Sequence, residues 1–240
     1  PEAAQRLKEI TVDVKTVTVP KAVSSTSDVP KPAVDLRPGT HNYKASIAVA
    51  GQTIPLSAKT EIKEENGAWT VVDTIQTPQG EFSDTSTLEK GSLLLKRRLI
   101  NQGPVSIEMN VAANQVTGST TMNGQATPLA VDAGGVLFAD GAGAFDVIAA
   151  LPLADGYSLS FRNLDVQKQK PQIKQLKVVG AESVTVPAGT FDAYKVEIVA
   201  ADNEADKQTV WIDKASRKVL KISAVIPSLN GAILTSELTP

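Results

Sequence analysis

The chain has 240 residues with 24 Lys or Arg and 26 Asp or Glu, which gives a formal net charge of −2. This charge argues against a nucleic-acid-binding protein, because such proteins are normally basic. The absence of cysteine excludes structural disulfides and thiolate metal sites. No apolar run reaches the roughly 18 residues of a membrane-spanning helix.

The first 35 residues differ from the rest of the chain. Residues 2–10 favour a short helix, and residues 11–19 alternate polar and apolar side chains as a strand does. A stretch rich in Pro, Ser and Thr follows, which is typical of a linker or surface arm. We predict an N-terminal arm or Pro-rich linker over residues 1–35 and a single β domain over residues 36–240. An ordered strand that adds to the sheet is the alternative for the arm.

Short alternating segments separated by polar turns follow from Tyr43 onward. Asn66-Gly67 and Asn123-Gly124 are dipeptides that two-residue hairpin turns prefer. Closely spaced strands with such turns predict an antiparallel meander. The predicted strands cover residues 43–50, 53–63, 69–75, 82–88, 92–100, 105–111, 115–122 and 125–131.

The segment from Gly134 to Gly156 is rich in Ala and Gly and interrupts the strand pattern. Apolar residues at helical spacing predict a helix over residues 144–150, which Pro152 ends. A single apolar helix within a β meander needs an apolar surface to cover. We expect that surface to be the concave face of a curved sheet.

The C-terminal third returns to strands, and its clearest segment has one apolar face. Tyr194, Val196 and Ile198 point to one side of the predicted strand, while Lys195 and Glu197 point to the other. This alternation indicates a sheet with one dry face and one wet face. The predicted strands cover residues 158–165, 172–179, 183–186, 191–200, 208–213, 218–226 and 232–238.

Two turns frame that segment. Pro187 suits a strand end, and Gly189 suits a corner that needs a positive φ. We expect Phe191 to return to the dry face after this corner. Residues 202–206 read as a solvated turn because they are mostly charged or polar.

Several segments resemble a known bacterial family, "domain of unknown function 3108". They are VGAESVTVPAGTFDAYKVEI, VWIDKASRKVLKI, IAALPLADGY and the early GTHNY, and together they span about residues 36–238. The family's fold is similar to the half-barrel of the lipoprotein carriers LolA and LolB. The resemblance implies a mainly β protein in which a curved antiparallel sheet wraps around one or two short helices and an apolar cavity. It also implies a place in the cell envelope.

Few residues suggest catalysis or metal binding. His41 is the single histidine and has no Gly-x-Ser-x-Gly motif to accompany it, so we interpret it as a surface or edge-strand residue. Residues 202–213 resemble a calcium loop, but Lys207 occupies the position where that loop needs Gly. We therefore predict no enzyme activity, no cofactor and no metal.

A basic cluster, Lys96-Arg97-Arg98, leaves two interpretations open. In a strand, Lys96 and Arg98 share one face and Arg97 lies on the other. The cluster is either an exposed charged strand end or a contact for an anionic headgroup or acidic partner at the mouth of a cavity.

The largest side chains of the strands and the helix are the candidates for the cavity wall. A half-barrel leaves part of its concave face for a ligand, so some of these residues would contact it and the others would belong to the core. The candidate wall residues are Trp69, Phe82, Phe145, Ile148, Phe161, Phe191, Tyr194 and Trp211.

We therefore predict a non-catalytic cell-envelope protein that binds a lipid, a lipoprotein acyl chain or another apolar ligand. Peripheral association with a membrane would fit this function, and a nucleic-acid partner would not. The chain begins at Pro1 rather than Met, so we expect a periplasmic or extracellular protein whose signal peptide has been removed. The alternative is a structural or interaction domain, such as the C-terminal module of a larger secreted protease.

Overall fold

The computed structural model describes residues 31–78 and 80–240, with Ser228 described by its backbone alone. The helix and strand predicted over residues 2–19 lie outside the described residues. The described part contains one α-helix, α1 (Ala144–Ala149), a short 3-10 turn (Pro227–Leu229) and 14 strands. The strands are β1 (Gly39–Val49), β2 (Gln52–Glu65), β3 (Ala68–Thr77), β4 (Gly80–Glu89), β5 (Leu95–Gln102), β6 (Val105–Ala112), β7 (Gln115–Met122), β8 (Gln125–Asp132), β9 (Ser158–Asp165), β10 (Lys170–Val186), β11 (Gly189–Ala200), β12 (Asn203–Asp213), β13 (Val219–Ile226) and β14 (Ala232–Leu238).

All strands belong to one antiparallel sheet in the order β8-β7-β6-β5-β4-β3-β2-β1-β14-β13-β12-β11-β10-β9. The first meander runs from β1 to β8 and the second from β9 to β14. Pairing of β1 with β14 joins the two, with Tyr43 opposite Leu238. The predicted fold class is therefore confirmed: a curved antiparallel sheet around a short helix.

The hairpin turns follow from local sequence. Asn66 and Gly67 have φ values of 51° and 76°, and Asn123 and Gly124 have values of 50° and 81°. Positive φ at both central residues gives the turn whose twist matches that of the adjoining strands, and Asn and Gly tolerate it best. Both hairpins predicted from Asn-Gly are confirmed.

Strand β10 differs from the prediction. The segments predicted as two strands, 172–179 and 183–186, form one strand of 17 residues with a register shift between Val178 and Gly180. The extra residue of such a bulge bends a strand without ending it. The predicted break is therefore wrong.

Two further predictions near charged residues are corrected. Residues 203–206 belong to β12, so the turn that precedes this strand is shorter than predicted. A register shift between Thr87 and Leu88 of β4 leaves Lys96 outside the regular pairing of β5, so Lys96 and Arg98 do not share a face. His41 lies half-buried near the start of β1, where the strand is paired with β2 alone because its pairing with β14 begins at Tyr43.

The main core lies between α1 and the sheet. Val147, Ile148 and Ala149 of the helix are buried in one cluster with sheet residues such as Val196 and Ile212. Tyr194, Val196 and Ile198 share the face that contacts this cluster, as predicted.

The two edge strands of the sheet, β9 and β8, are protected from pairing with a further strand in different ways. At β9, Leu137 forms a parallel bridge with Arg162, and the Phe138 amide donates to the Arg162 carbonyl at 2.9 Å. The segment before α1 therefore covers the outer edge of β9. At the other end, β8 carries Pro128, which cannot donate a backbone hydrogen bond to an added strand.

Candidate functional site

Helix α1 leaves part of the sheet uncovered, and a cleft of about 480 Å³ lies beside the helix. Four predicted wall residues meet there: Phe82 from β4, Phe145 and Ile148 from α1, and Phe161 from β9. The other apolar residues of this wall include Ile100, Ile107 and Ile198. We call this space the larger cleft. Its volume lies within the range of about 300–1,000 Å³ that is typical of small-molecule sites, and its lining has somewhat more apolar than polar surface.

A charged triad forms one side of the larger cleft. Arg98 donates from Nε and Nη2 to both carboxylate oxygens of Asp84 at 2.7–3.0 Å, and from Nη1 to Asp140 at 3.0 Å. The other Asp140 oxygen accepts the Leu164 amide at 2.7 Å. Burial raises the pKa of Asp140, whereas the Arg98 charge acts in the opposite direction. The triad thus ties the segment before α1 to β4, β5 and β9.

Gly141 permits this close approach. A Cβ atom at this position would lie 2.6 Å from the Ser86 hydroxyl and 2.7 Å from the Arg98 side chain. Its φ of 83° also favours glycine. A glycine is therefore needed where the segment before α1 meets the triad.

The opposite side of the larger cleft carries a second ion pair. Lys174 of β10 is buried and donates to Asp206 of β12. Gln172 also donates to Asp206, at 3.3 Å. Arg98 and Lys174 are the basic residues that line this cleft, and both have carboxylate partners. The larger cleft therefore combines apolar side chains with polar groups whose charges are compensated.

A second space, the smaller chamber, lies on the other side of Phe145 and has a volume of about 220 Å³. Phe145 and Gln208 line both spaces. The apolar lining of the smaller chamber comes from β1, β2, β3, β13, β14 and α1, and includes Tyr43, Ala45, Ala58, Ile75, Phe145, Val219, Ile222, Ala224 and Leu234. Phe145 therefore separates two apolar spaces under the sheet.

Two carboxyl groups face the smaller chamber. Asp73 accepts the Thr60 hydroxyl at 2.6 Å and the Gly143 amide at 3.0 Å. Burial raises the pKa of Asp146 to about 7, and the charge of Asp73 adds to this shift. Burial also raises the pKa of Asp73. The chamber thus contains an acid that exchanges its proton near neutral pH.

The other predicted wall residues lie elsewhere. Trp69 is buried in the main core, and its Nε1 donates to Asp35 at 3.1 Å. Tyr194 packs at the edge of that core. Phe191 and Trp211 pack against a separate cluster formed by Tyr43, Val184, Val186, Ala193, Leu220 and Leu238.

Strand alternation explains the position of Phe191 and Trp211. In β11, Phe191 falls on the opposite face from Tyr194, and in β12 Trp211 falls on the opposite face from Val210 and Ile212. The expected return of Phe191 to the dry face is therefore wrong.

Arg98 was named from the sequence as part of a basic cluster, but Asp146 and the two carboxylate partners of Arg98, Asp84 and Asp140, were missed. Asp146 is the one acidic residue in the otherwise apolar helix AFDVIA, and that pattern could have marked it. Along the chain, Arg98 lies 14 positions from Asp84 and 42 positions from Asp140. Their contact depends on sheet register and carries no local signal.

The described residues contain no group of three or more His, Cys, Asp or Glu side chains that could hold a metal ion. Within the same residues, no helix is long and apolar enough to cross a membrane.

Comparison with solved structures shows the same type of fold in a beta-barrel-like protein of domain of unknown function DUF1849 from Brucella abortus. The two share 9% identity with a TM-score of 0.58, over 86% of this chain and 98% of that chain. The hypothetical lipoprotein YmcC from Escherichia coli aligns with 8% identity and a TM-score of 0.33, over 83% of this chain and 84% of its own. A LolA superfamily protein from Nitrosomonas europaea aligns with 11% identity and a TM-score of 0.24, over 91% and 93%.

Comparison with curated proteins found no match. A family described as "Protein of unknown function (DUF3108)" matches residues 42–239, which cover both meanders and α1. The match confirms the resemblance found in the β10–β13 segments and around α1. This protein therefore belongs to the DUF3108 family.

Proposed function

We propose that this protein is a non-catalytic cell-envelope protein that binds a lipid or another apolar ligand between α1 and the sheet. The observation that carries the proposal is the larger cleft of about 480 Å³, whose lining combines apolar side chains with charge-compensated polar groups. Phe82, Phe145, Ile148 and Phe161 would contact the ligand. Family resemblance supports the envelope location.

Burial of apolar surface would drive binding. Each methylene removed from water contributes about 0.8 kcal/mol, so a chain of about eight methylenes contributes about 6 kcal/mol before the entropic cost of binding. Because Arg98 and Lys174 already have carboxylate partners, the polar part of the lining suits an uncharged polar head or the carbonyl of an acyl chain.

The test is displacement of the apolar fluorophore N-phenyl-1-naphthylamine from the full chain by monoacylglycerols, whose head is uncharged. Ala144 lines the larger cleft, so Ala144→Trp would fill it. Ala126 of edge strand β8 is exposed, so Ala126→Trp adds the same indole to a remote surface. We expect Ala144→Trp to weaken binding by about tenfold or more, which corresponds to about 1.4 kcal/mol, and Ala126→Trp to bind as the unchanged protein does.

Binding that is absent from the unchanged protein, or equal in all three proteins, would contradict the proposal. The structural or interaction domain would then be the better interpretation. Circular dichroism of each variant would show that the sheet is retained.

A further inference from the structure

A third cleft, of about 350 Å³, opens at the C-terminal end of α1. Its walls are the segment from Val34 to His41, Ala150 at the end of the helix, and the β12–β13 turn from Ala215 to Lys218. It has no lining residue in common with the larger cleft, and it meets the smaller chamber at Asp146. We call it the basic cleft.

Unpaired cations distinguish the basic cleft from the larger one. Arg37, Arg217 and Lys218 line it, and none of them has a carboxylate partner within the described residues. By contrast, Lys214 of the same turn pairs with Asp192 at 3.1 Å and does not line the cleft. Positive charge is therefore concentrated in the concave part of this surface.

The three cations outnumber the two acidic residues that line the basic cleft, Asp35 and Asp146. Asp35 accepts the Trp69 indole N–H at 3.1 Å and the Leu36 amide at 2.9 Å, so its carboxylate is directed to these groups and not to a cation of the cleft. The Asp146 carboxyl has a raised pKa of about 7, so it is partly protonated near neutral pH. Burial and the charge of Lys218 lower the pKa of His41, which leaves this imidazole as a neutral hydrogen-bonding group.

Arg217 is held in place without a compensating anion. Its guanidinium lies over the Tyr194 ring, 5.3 Å from the centroid, and its amide donates to the Asp213 carbonyl at 3.0 Å. Its Nη1 atom is buried and has no hydrogen-bond partner among the described residues. A guanidinium fixed by stacking presents a planar fork that fits phosphate or carboxylate oxygens. An oxyanion in the cleft would pair with this charge through the guanidinium donors other than the buried Nη1.

We propose that the basic cleft binds an oxyanion of the phosphate or carboxylate type, with Arg217 and Lys218 as its main contacts and Arg37 at the rim. The anion is either a free small molecule or the headgroup of an amphiphile. A chain attached to it would pass Asp146 into the smaller chamber. This site does not depend on ligand binding in the larger cleft.

Calorimetric titration of the full chain with inorganic phosphate and with octyl phosphate tests the proposal. Arg217→Gln and Lys218→Gln each remove one cation, and Lys214→Gln is the matched control because Lys214 lies in the same turn but outside the cleft. We expect each cleft variant to weaken binding by about fivefold or more, the control to bind as the unchanged protein does, and added salt to weaken all binding.

The two ligands distinguish the sources of the anion. Binding of octyl phosphate about tenfold tighter than phosphate indicates a headgroup, and equal affinities indicate a free oxyanion. The proposal is overturned when neither ligand binds, or when both bind the Arg217→Gln/Lys218→Gln double variant as tightly as the unchanged protein. Ala144→Trp should keep phosphate binding, which separates this site from the larger cleft.

Discussion

Asp146 is an acidic residue within a six-residue helix whose neighbours Val147, Ile148 and Ala149 are buried. Its carboxyl receives no hydrogen bond from the side chain of another described residue. Burial and the charge of Asp73 raise its pKa from 3.8 to about 7. The ionised form is therefore disfavoured in the folded protein.

Replacement of Asp146 should change how stability depends on pH. Between about pH 4 and pH 7 the folded state holds this proton and the unfolded state does not, so the contribution of Asp146 to the free energy of unfolding falls as pH rises through this window. Asp146→Asn removes that contribution. We expect the variant to gain stability relative to the unchanged protein between about pH 5 and about pH 8, measured by urea unfolding.

The same urea-unfolding measurement can also contradict the raised pKa of Asp146. A difference in stability between the two proteins that stays constant with pH would show that Asp146 keeps an ordinary pKa.

Arg98 and Arg97 are adjacent and have different surroundings. Arg98 is paired with Asp84 and Asp140, whose side chains are 7% and 5% exposed, whereas Arg97 and Glu108 are 53% and 43% exposed. We expect Arg98→Met to lower the free energy of unfolding by about 3–5 kcal/mol, because two buried carboxylates lose their partner. Arg97→Met should cost about 1 kcal/mol or less. Equal losses in denaturant unfolding would contradict the assigned role of the triad.

At the scale of elements, helix α1 determines how much of the sheet stays uncovered and lines a cleft. Its Phe145 lines both the larger cleft and the smaller chamber, so this side chain divides the space under the sheet. The half-buried position of Phe145 leaves it with less packing than Ile148, which is 1% exposed.

Truncation of Phe145 should join the two spaces. We expect Phe145→Ala to cost about 1–3 kcal/mol of stability, less than the about 3–5 kcal/mol of a fully buried Phe. The variant should also prefer longer acyl chains, measured by displacement of the fluorophore with monoacylglycerols of increasing chain length. Phe191→Ala is the control, because Phe191 is also half-buried but packs against a separate cluster. An unchanged chain-length preference in Phe145→Ala would show that the two spaces are not filled by one ligand.

The elements that sequence predicted best are those whose pattern is local. The Asn-Gly turns and the alternation of polar and apolar residues predicted nearly all strands, and the helical spacing of apolar residues before Pro152 predicted α1. The bulges near Lys96 and Gly180 were not predicted, because a bulge depends on how two strands pair. The faces of Phe191 and Trp211 follow from strand alternation, which a choice by side-chain size does not take into account.

The candidate site also contains some residues that a local sequence pattern identified and others that only the folded structure brings together. Phe82, Phe145, Ile148 and Phe161 were named because they are large and apolar in strand or helix contexts, and the structure brings them to one cleft. The Arg98 triad and the unpaired cations of the basic cleft join residues distant in sequence. One interpretation of the sequence was that Lys96-Arg97-Arg98 contacts an anionic group. In the structure, Lys96 pairs with Glu89, Arg97 with Glu108, and Arg98 with the two triad aspartates.

At the scale of the whole molecule, two meanders joined at β1 and β14 enclose one helix that covers only part of the sheet. The segment before α1 covers the edge of β9 and is fixed by the Arg98 triad. The larger cleft is therefore bounded by strands and by the ion pairs of Arg98 and Lys174, which favours a preformed space.

Native mass spectrometry of the protein isolated without detergent from its host tests the central claim most directly. We predict that the unchanged protein carries a small-molecule mass that organic extraction removes, and that Ala144→Trp carries much less of it. An unchanged protein that carries no such mass, and acquires none when offered lipid after extraction, would contradict the proposed function.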